Sequence, residues 1–110
     1  MERTRLPKAL ASVALAVSLG GCAWVELKPQ GEPVRILTAA QVGKCKALGQ
    51  VTASTAATIG FIARDKSSVQ EEVNRLARNH AGGMGGDTVV AKGALADGEQ
   101  TFGVYRCIAQ

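Results

Sequence analysis

The sequence has 110 residues, of which 46% are hydrophobic and 20% charged, with 13 Lys and Arg against 9 Asp and Glu. This length allows one small domain at most. One histidine and three cysteines leave few candidates for a metal site or a catalytic triad, so we expect no enzyme, no metal site and no cofactor. The sequence also lacks an uninterrupted apolar run of about 18 residues, so no membrane-spanning helix is expected.

The first 21 residues have the pattern of a leader peptide. Arg3, Arg5 and Lys8 make the N-terminus positive, and the apolar stretch 9–19 follows them. A charged segment followed by an apolar stretch of this length is typical of a secretory signal. A buried N-terminal helix is the alternative, but such a helix would need a polar face, and this stretch has only two serines.

The end of this segment predicts a lipid attachment site. Leu19, Gly20, Gly21 and Cys22 resemble the bacterial lipobox. The resemblance implies that Cys22 becomes the mature N-terminus and carries a diacylglycerol and an amine-linked acyl chain such as palmitate. Two or three chains hold a protein durably at a membrane, whereas one binds only marginally. Ala23 is not the aspartate that retains lipoproteins in the inner membrane, so the resemblance favours the outer membrane.

We therefore expect a signal peptide at 1–21, a lipidated cysteine with a short tether at 22–33, and an α+β domain at 34–110. Pro29, Gly31 and Pro33 predict the tether, because they break any apolar periodicity. From Cys22 onward the chain has 10 Lys and Arg against 8 Asp and Glu. This small excess is spread along the sequence, so nucleic acid is not an expected partner.

The remaining pattern predicts a small sheet of about four mostly antiparallel strands with one amphipathic helix on one face. Strands are predicted at 34–37, 45–54, 88–91 and 100–108, with a hairpin turn at Asp97-Gly98. The second strand alternates so that one face carries Cys45, Ala47, Gly49, Val51 and Ala53. Residues 38–44 are predicted as a turn or one helical turn. Residues 55–66 are predicted as a short strand or a loop folded onto the sheet.

The clearest predicted element is a helix at about 67–84. Ser67 with Gln70, or Ser68 with Glu71, gives a capping-box pattern. The predicted apolar face consists of Val69, Val73, Leu76, Ala77, His80, Ala81 and Met84. The residues predicted to lie off that face are Glu72, Arg75, Arg78 and Asn79. Gly85 and Gly86 are expected to end the helix.

Cys45 and Cys107 remain if Cys22 is lipidated. They lie on two predicted strands of a protein expected in an oxidising compartment, so we predict a disulfide between them. A redox-active pair is the alternative, but catalytic dithiols usually lie in Cys-X-X-Cys motifs at a helix start.

Other polar and glycine-rich features have structural explanations that outweigh functional ones. The stretch 82–87 is glycine-rich, but it follows a helix, whereas phosphate loops precede one. His80 has no second histidine or carboxylate cluster with which to hold a metal, so we expect a core or rim histidine. Asp87, Asp97 and Glu99 are isolated acids near turns, and no pair can be assigned as acid and base.

Four stretches carry a resemblance to known families: 45–49, the helical 76–78, 84–90 and 104–107. They resemble a family of small Gram-negative lipoproteins that carry a domain of unknown function, over nearly the whole chain after Cys22. The order of elements is also similar, more distantly, to that of the Rcs envelope-stress sensor lipoproteins, which signal by protein contacts. A family of small domains described as heavy-metal-binding is likewise similar.

These observations together predict an outer-membrane lipoprotein, anchored by its lipid and facing the periplasm. We expect it to have no catalytic activity and to act through contacts with an envelope protein, in envelope maintenance or stress signalling. The alternative is a periplasmic module that binds a small ligand or a metal. Measurement of bound metal and of ligand-dependent melting distinguishes the two hypotheses, because a ligand raises the midpoint with concentration.

Overall fold

The α+β prediction is confirmed. A computed structural model of the chain describes residues 25–108, so the predicted signal peptide and the lipobox with Cys22 lie outside the described residues. The elements are β1 (Arg35–Ile36), a 3₁₀ turn (Ala39–Val42), β2 (Lys46–Ser54), β3 (Thr58–Ile59), β4 (Ile62–Ala63), α1 (Lys66–Gly83), β5 (Thr88–Ala91) and β6 (Glu99–Arg106). Within the described range, no helix is long and apolar enough to cross a bilayer.

The main sheet has four strands in the order β1-β5-β6-β2. Strand β1 runs parallel to β5, while β5 with β6 and β6 with β2 are antiparallel. Residues 92–98 join β5 to β6, and within them Asp97 and Gly98, between the bridged residues Ala96 and Glu99, have φ values of 51° and 77°. Two consecutive positive φ angles are the geometry of a type I′ turn, so the predicted hairpin turn is confirmed.

Helix α1 packs on one face of this sheet through residues spaced four apart. Val69, Val73, Ala77 and Ala81 are buried against core residues of the strands, of which Phe102 is the largest. Each step of four turns the buried line by about 40° around the helix axis. By the last turn this line has moved away from His80, which is exposed. The prediction that His80 lies on the apolar face is therefore wrong.

A β-bulge changes the face that β2 presents to the core. Its pairing with β6 shifts between Ala47 and Gly49, and Gly49 has a φ of 145°. Leu48 and Val51 pack against the core, although three positions separate them, because the bulge inserts an extra residue between two regular stretches. Strict alternation was therefore wrong for Ala47 and Gly49, which are exposed.

Residues 55–66 do not fold onto the main sheet. Strands β3 and β4 form a separate two-stranded hairpin whose turn contains Gly60 at a φ of 63°. Phe61 and Ile62 are exposed at this hairpin rather than packed in the core. The helix that follows begins at Lys66, and Asp65 is its N-cap, because the Asp65 carboxylate accepts a hydrogen bond from the Ser68 N–H at 3.1 Å. The N-cap thus lies two residues before Ser67 and three before Ser68, so both predicted serine capping boxes are wrong.

Candidate functional site

The described domain has two opposite ends, which we call the entry end and the hairpin end. The entry end contains segment 25–33, the last turn of α1 and the pair Cys45 and Cys107. The hairpin end contains the β3–β4 hairpin, the first turn of α1 and the Asp97-Gly98 turn. Helix α1 has 18 residues, which corresponds to about 27 Å between the two ends.

Segment 25–33, predicted as a tether, is hydrogen bonded to the last turns of α1. The Lys28 N–H donates to Asn79 Oδ1 at 2.8 Å, and Asn79 Nδ2 donates to the Glu26 carbonyl at 2.8 Å. Arg78 Nη2 donates to the Glu32 carbonyl at 2.9 Å. These contacts bury Asn79, although the helical pattern predicts it to lie off the apolar face. The side chain is buried under this segment rather than under the sheet.

The approach of this segment to α1 is close enough to require glycine. A Cβ atom at Gly82 would lie 1.9 Å from the Gln30 carbonyl oxygen, and one at Gly31 would lie 2.4 Å from Asn79 Oδ1. A side chain at Gly82 would therefore require movement of the backbone, and one at Gly31 would displace the Asn79 side chain from its hydrogen bonds. Segment 25–33 is therefore packed against the helix as part of the folded unit.

The structure places Cys45 and Cys107 at disulfide distance. Their sulfur atoms lie 2.11 Å apart and their Cα atoms 4.4 Å apart. The pair extends the β2–β6 ladder by one position beyond the partners Lys46 and Arg106. This Cα separation is typical of the closer kind of antiparallel pair, in which cross-strand side chains face each other.

Asp87 lies at the same end of the sheet and links the start of β5 to the residues that follow β6. Its carboxylate accepts hydrogen bonds from the N–H groups of Cys107 at 2.8 Å and Ile108 at 2.9 Å, and from the Thr88 hydroxyl at 2.9 Å. Burial alone raises the pKa of Asp87, but these hydrogen bonds and the charge of Arg35 outweigh burial and hold the pKa below its usual value. The sequence shows Asp87 only as an isolated acid after a glycine run, because its partners come from the other end of the chain.

The glycine run 82–87 ends the helix, as predicted. The Gly86 N–H donates to the Ala81 carbonyl at 2.8 Å and the Gly85 N–H to the Gly82 carbonyl at 3.1 Å. Gly85 has a φ of 84°. This pattern is the Schellman motif, in which a left-handed residue reverses the chain and satisfies the last carbonyls. Its N–H groups are used internally, so the run does not form a phosphate loop.

A buried ion pair organises the hairpin end. Arg64, which follows β4, makes a bidentate contact with Glu72 of α1: its Nη1 donates to Oε1 at 3.1 Å and its Nη2 donates to Oε2. The Thr55 hydroxyl also donates to Glu72 Oε1 at 2.8 Å. The Arg64 hydrogen bond is the main reason that the pKa of Glu72 lies below its usual value, and it outweighs the opposing effect of burial. Glu72 is 3% exposed, so its predicted place off the buried face is wrong.

The hairpin that Arg64 holds presents apolar side chains to solvent. Ile59 is 67% exposed, Ile62 is 73% exposed, and Phe61 is fully exposed at the turn. A separate cleft of ≈ 250 Å³ lies between Thr58 of the hairpin, Val69 of α1 and Leu95, and the three apolar residues do not line it. Single exposed apolar residues are normal, but three on one short hairpin form a patch that is typical of interaction sites. Sequence reasoning missed this patch, because it placed Phe61 and Ile62 on the sheet.

The titratable residues of the described range do not gather into a metal site. Residues 25–108 contain no group of three or more His, Cys, Asp or Glu side chains that could hold a metal ion. Asp87 lies at the entry end, while Asp97 and Glu99 lie at the hairpin end and are exposed. The structure therefore does not bring these three acids together.

Comparison with known proteins gives one family. The family model described as "Domain of unknown function (DUF4156)" matches residues 25–107. No curated protein and no solved structure matches the chain. The matched range begins at segment 25–33, so the segment that docks on α1 belongs to the unit that the family shares.

Proposed function

The chain belongs to the DUF4156 family, whose description carries no activity, and from that premise we propose a function on the basis of the surface of this domain. We propose a lipid-anchored lipoprotein of the outer membrane that faces the periplasm and acts, without catalysis, through contact with another envelope protein. The lipobox resemblance of residues 19–22 supports the anchor. The apolar patch of Ile59, Phe61 and Ile62 supports the protein contact, and it is the observation that carries the proposal.

The patch is suited to binding because its hairpin is held in place before a partner arrives. Arg64 and Glu72 join the base of the hairpin to α1, and the Arg64 Nη1 also donates to the Ala56 carbonyl at 3.0 Å. Burial of one Ile or Phe side chain contributes about 1.5–3 kcal/mol. A smaller part of this free energy is offset by the entropy cost of ordering the binding residues when the hairpin is already fixed before binding. Three such side chains thus form a credible centre for a protein interface.

The position of the patch favours a protein partner over the lipid next to the anchor. Glu26, the first of the described residues that is hydrogen bonded to α1, lies four positions after Cys22. Those four steps along the chain span at most about 14 Å. The patch lies at the other end of α1, about 27 Å farther on. An anchor at Cys22 therefore leaves the hairpin available to a partner in the periplasm.

Photocrosslinking in intact cells tests the contact. We expect a photoreactive residue at position 61 to capture a protein of defined mass, because Phe61 is fully exposed at the centre of the patch. Position 36 is the matched control, since Ile36 is an exposed apolar residue on β1 at the far side of the sheet. Ile59→Ser with Ile62→Ser should abolish the adduct and change the envelope-stress response. No adduct at position 61, or the same adducts at both positions, would contradict the proposal.

The anchor is tested separately. We expect the chain to incorporate a palmitate analogue in cells and to fractionate with the outer membrane. Cys22→Ala should abolish both, because it removes the thiol that the lipobox pattern assigns to lipid attachment. Incorporation that persists in the Cys22→Ala variant would show that the lipobox assignment is wrong.

A further inference from the structure

The charges of the described residues are divided unevenly between the two ends. At the entry end the basic residues are Lys28, Arg35, Lys44, Lys46, Arg78 and Arg106. The acidic residues there are Glu26, Glu32 and Asp87. Elsewhere in residues 25–108 the basic residues are Arg64, Lys66, Arg75 and Lys92, against Asp65, Glu71, Glu72, Asp97 and Glu99. The entry end is thus net positive, while the rest of the domain is slightly negative.

The topology brings these basic residues together, although they are far apart in sequence. Lys46 begins β2 and Arg106 ends β6, and the two are direct cross-strand partners. Arg35 begins β1 at the same end of the sheet, opposite Thr88 of β5. Lys44 precedes the Cys45–Cys107 pair, which lies at this end as well. The even spread of charge along the sequence therefore becomes a concentration of positive charge in the fold.

The three acids at this end offset only part of the charge of its six basic residues. Asp87 is half-buried, and its carboxylate interacts with the charge of Arg35. Lys28, Lys44 and Lys46 are exposed, and the structure gives none of these lysines a salt bridge within the described range.

We propose that the entry end rests on an anionic phospholipid surface. The inference rests on the lipid anchor of the proposed function, because the chain that leads to Cys22 leaves the domain at this end. Attraction between exposed charges is strong only within a Debye length, about 8 Å at physiological ionic strength. A link of at most about 14 Å is short enough to let the entry end approach the surface until its lysine side chains come within that range.

This contact fixes the orientation of the domain as well as its distance from the membrane. The lipid anchor alone would hold one point of the chain and leave the domain free to tilt. A positive end on an anionic surface holds α1 upright and directs the patch of Ile59, Phe61 and Ile62 away from the lipid. The same charges favour membranes rich in anionic phospholipid over neutral ones.

Lysine footprinting of the anchored protein tests this contact. The lipidated protein is reconstituted into vesicles of phosphatidylethanolamine with phosphatidylglycerol and, separately, of phosphatidylcholine, and is treated with an amine-acetylating reagent. We expect Lys28, Lys44 and Lys46 to react at least threefold more slowly on the anionic vesicles, and the difference to vanish in 0.5 M salt. Lys66 and Lys92 at the other end serve as internal controls and should react equally on both. Equal reaction of all five lysines on both vesicles would overturn the proposal.

Charge variants give a second, independent measurement. Lys44→Glu with Lys46→Glu should remove most of the protection at Lys28, whereas Lys66→Glu with Lys92→Glu, a change of the same charge at the other end, should leave it intact. Protection that survives Lys44→Glu with Lys46→Glu would contradict the proposal. Flotation with phosphatidylcholine vesicles reports the lipid anchor alone. A protein that floats but shows no charge-dependent protection refutes the contact without refuting the anchor, and a protein that does not float refutes the anchor.

Discussion

Single polar residues hold distant segments of this domain together. Glu72 joins α1 to Thr55 and Arg64, and Asn79 joins it to segment 25–33. Asp87 joins the start of β5 to the end of β6. Each of these side chains is enclosed by a segment far from it in sequence. Their roles are therefore fixed by the fold rather than by local pattern.

Glu72→Gln tests the ion pair at the hairpin end. The substitution keeps the shape of the side chain but removes the charge that Arg64 faces, so we expect the free energy of unfolding to fall by about 1–2 kcal/mol. The neighbouring Glu71→Gln is the matched control, because Glu71 is exposed and its contact with Arg75 is 3.6 Å long; we expect a change below about 0.5 kcal/mol. Denaturant unfolding of both variants measures the difference. Equal stability of the two variants would show that the pair contributes nothing.

The same residue predicts a pH dependence. A carboxyl group whose pKa is lowered by folding contributes stability that is present above its unfolded pKa and is lost as pH falls through its folded pKa. Glu72 and Asp87 have unfolded values of 4.5 and 3.8 and lower folded values. We expect stability to decline as pH falls below about 4.5. In the Glu72→Gln variant this decline should be shallower, whereas in Glu71→Gln it should be unchanged.

The sequence could predict only part of this polar network. In a stretch with helical periodicity, an acidic residue, an asparagine or an arginine is expected on the solvent-exposed face of the helix. Such a residue is buried only where another segment covers that face. Segments 25–33 and 56–64 cover the two flanks of α1. The first has no apolar pattern that predicts docking, and the large apolar residues of the second are exposed, so they do not make the contact with α1. Asp65 could have been found locally, because an aspartate before a helical pattern is as good an N-cap as serine.

The elements were predictable where local chemistry decides them. The Asp97-Gly98 turn, the helix and its glycine stop follow from backbone preferences of a few residues. The bulge in β2 was not predictable, because the register depends on which residues β6 offers as partners. The separate β3–β4 hairpin was also missed, since an apolar Phe-Ile pair normally indicates burial, and here it lies at an exposed turn.

The helix stop gives a pair of glycine substitutions with opposite expected signs. Gly85 has a φ of 84°, so Gly85→Ala should destabilise the domain by about 1 kcal/mol or more. Gly83 is helical and a Cβ there would meet nothing within 4 Å, so Gly83→Ala should stabilise by about 0.5–1 kcal/mol. Denaturant midpoints with an unchanged slope measure both effects. A shift of the same sign for both variants would contradict the assignment of the helix end.

The whole molecule has a small core for its length. Its buried apolar residues are mostly Val and Ala, with Phe102 the one large aromatic residue among those that the structure describes as buried. A core of this kind leaves a large share of the stability to covalent closure. The sequence predicts that so small a core requires a covalent link, and it shows the two cysteines that can form one, because they lie on two different predicted strands.

We therefore expect the Cys45–Cys107 pair to be oxidised and to matter for stability. Closure of a loop with a sequence separation of 62 contributes about 4 kcal/mol in the chain-entropy model. Cys45→Ser with Cys107→Ser should lower the unfolding free energy by an amount of that order. Peptide mapping without reduction should recover the two cysteines linked. Two free thiols at positions 45 and 107 in protein isolated from the envelope would contradict the prediction.

The closed ring also divides the domain into two parts under mechanical load. Residues 45–107 lie within the ring, whereas segment 25–33, Val34 and β1 lie outside it, held by side-chain hydrogen bonds, a two-residue parallel pairing and the burial of Val34 in the core. Tension between an anchored N-terminus and a partner at the hairpin would peel residues 26–44 away first. Those residues span at most about 65 Å when extended. With the proposed anchor at Cys22, this release lengthens the link to the membrane several-fold while the hairpin, α1 and the β2–β6 ladder keep their structure.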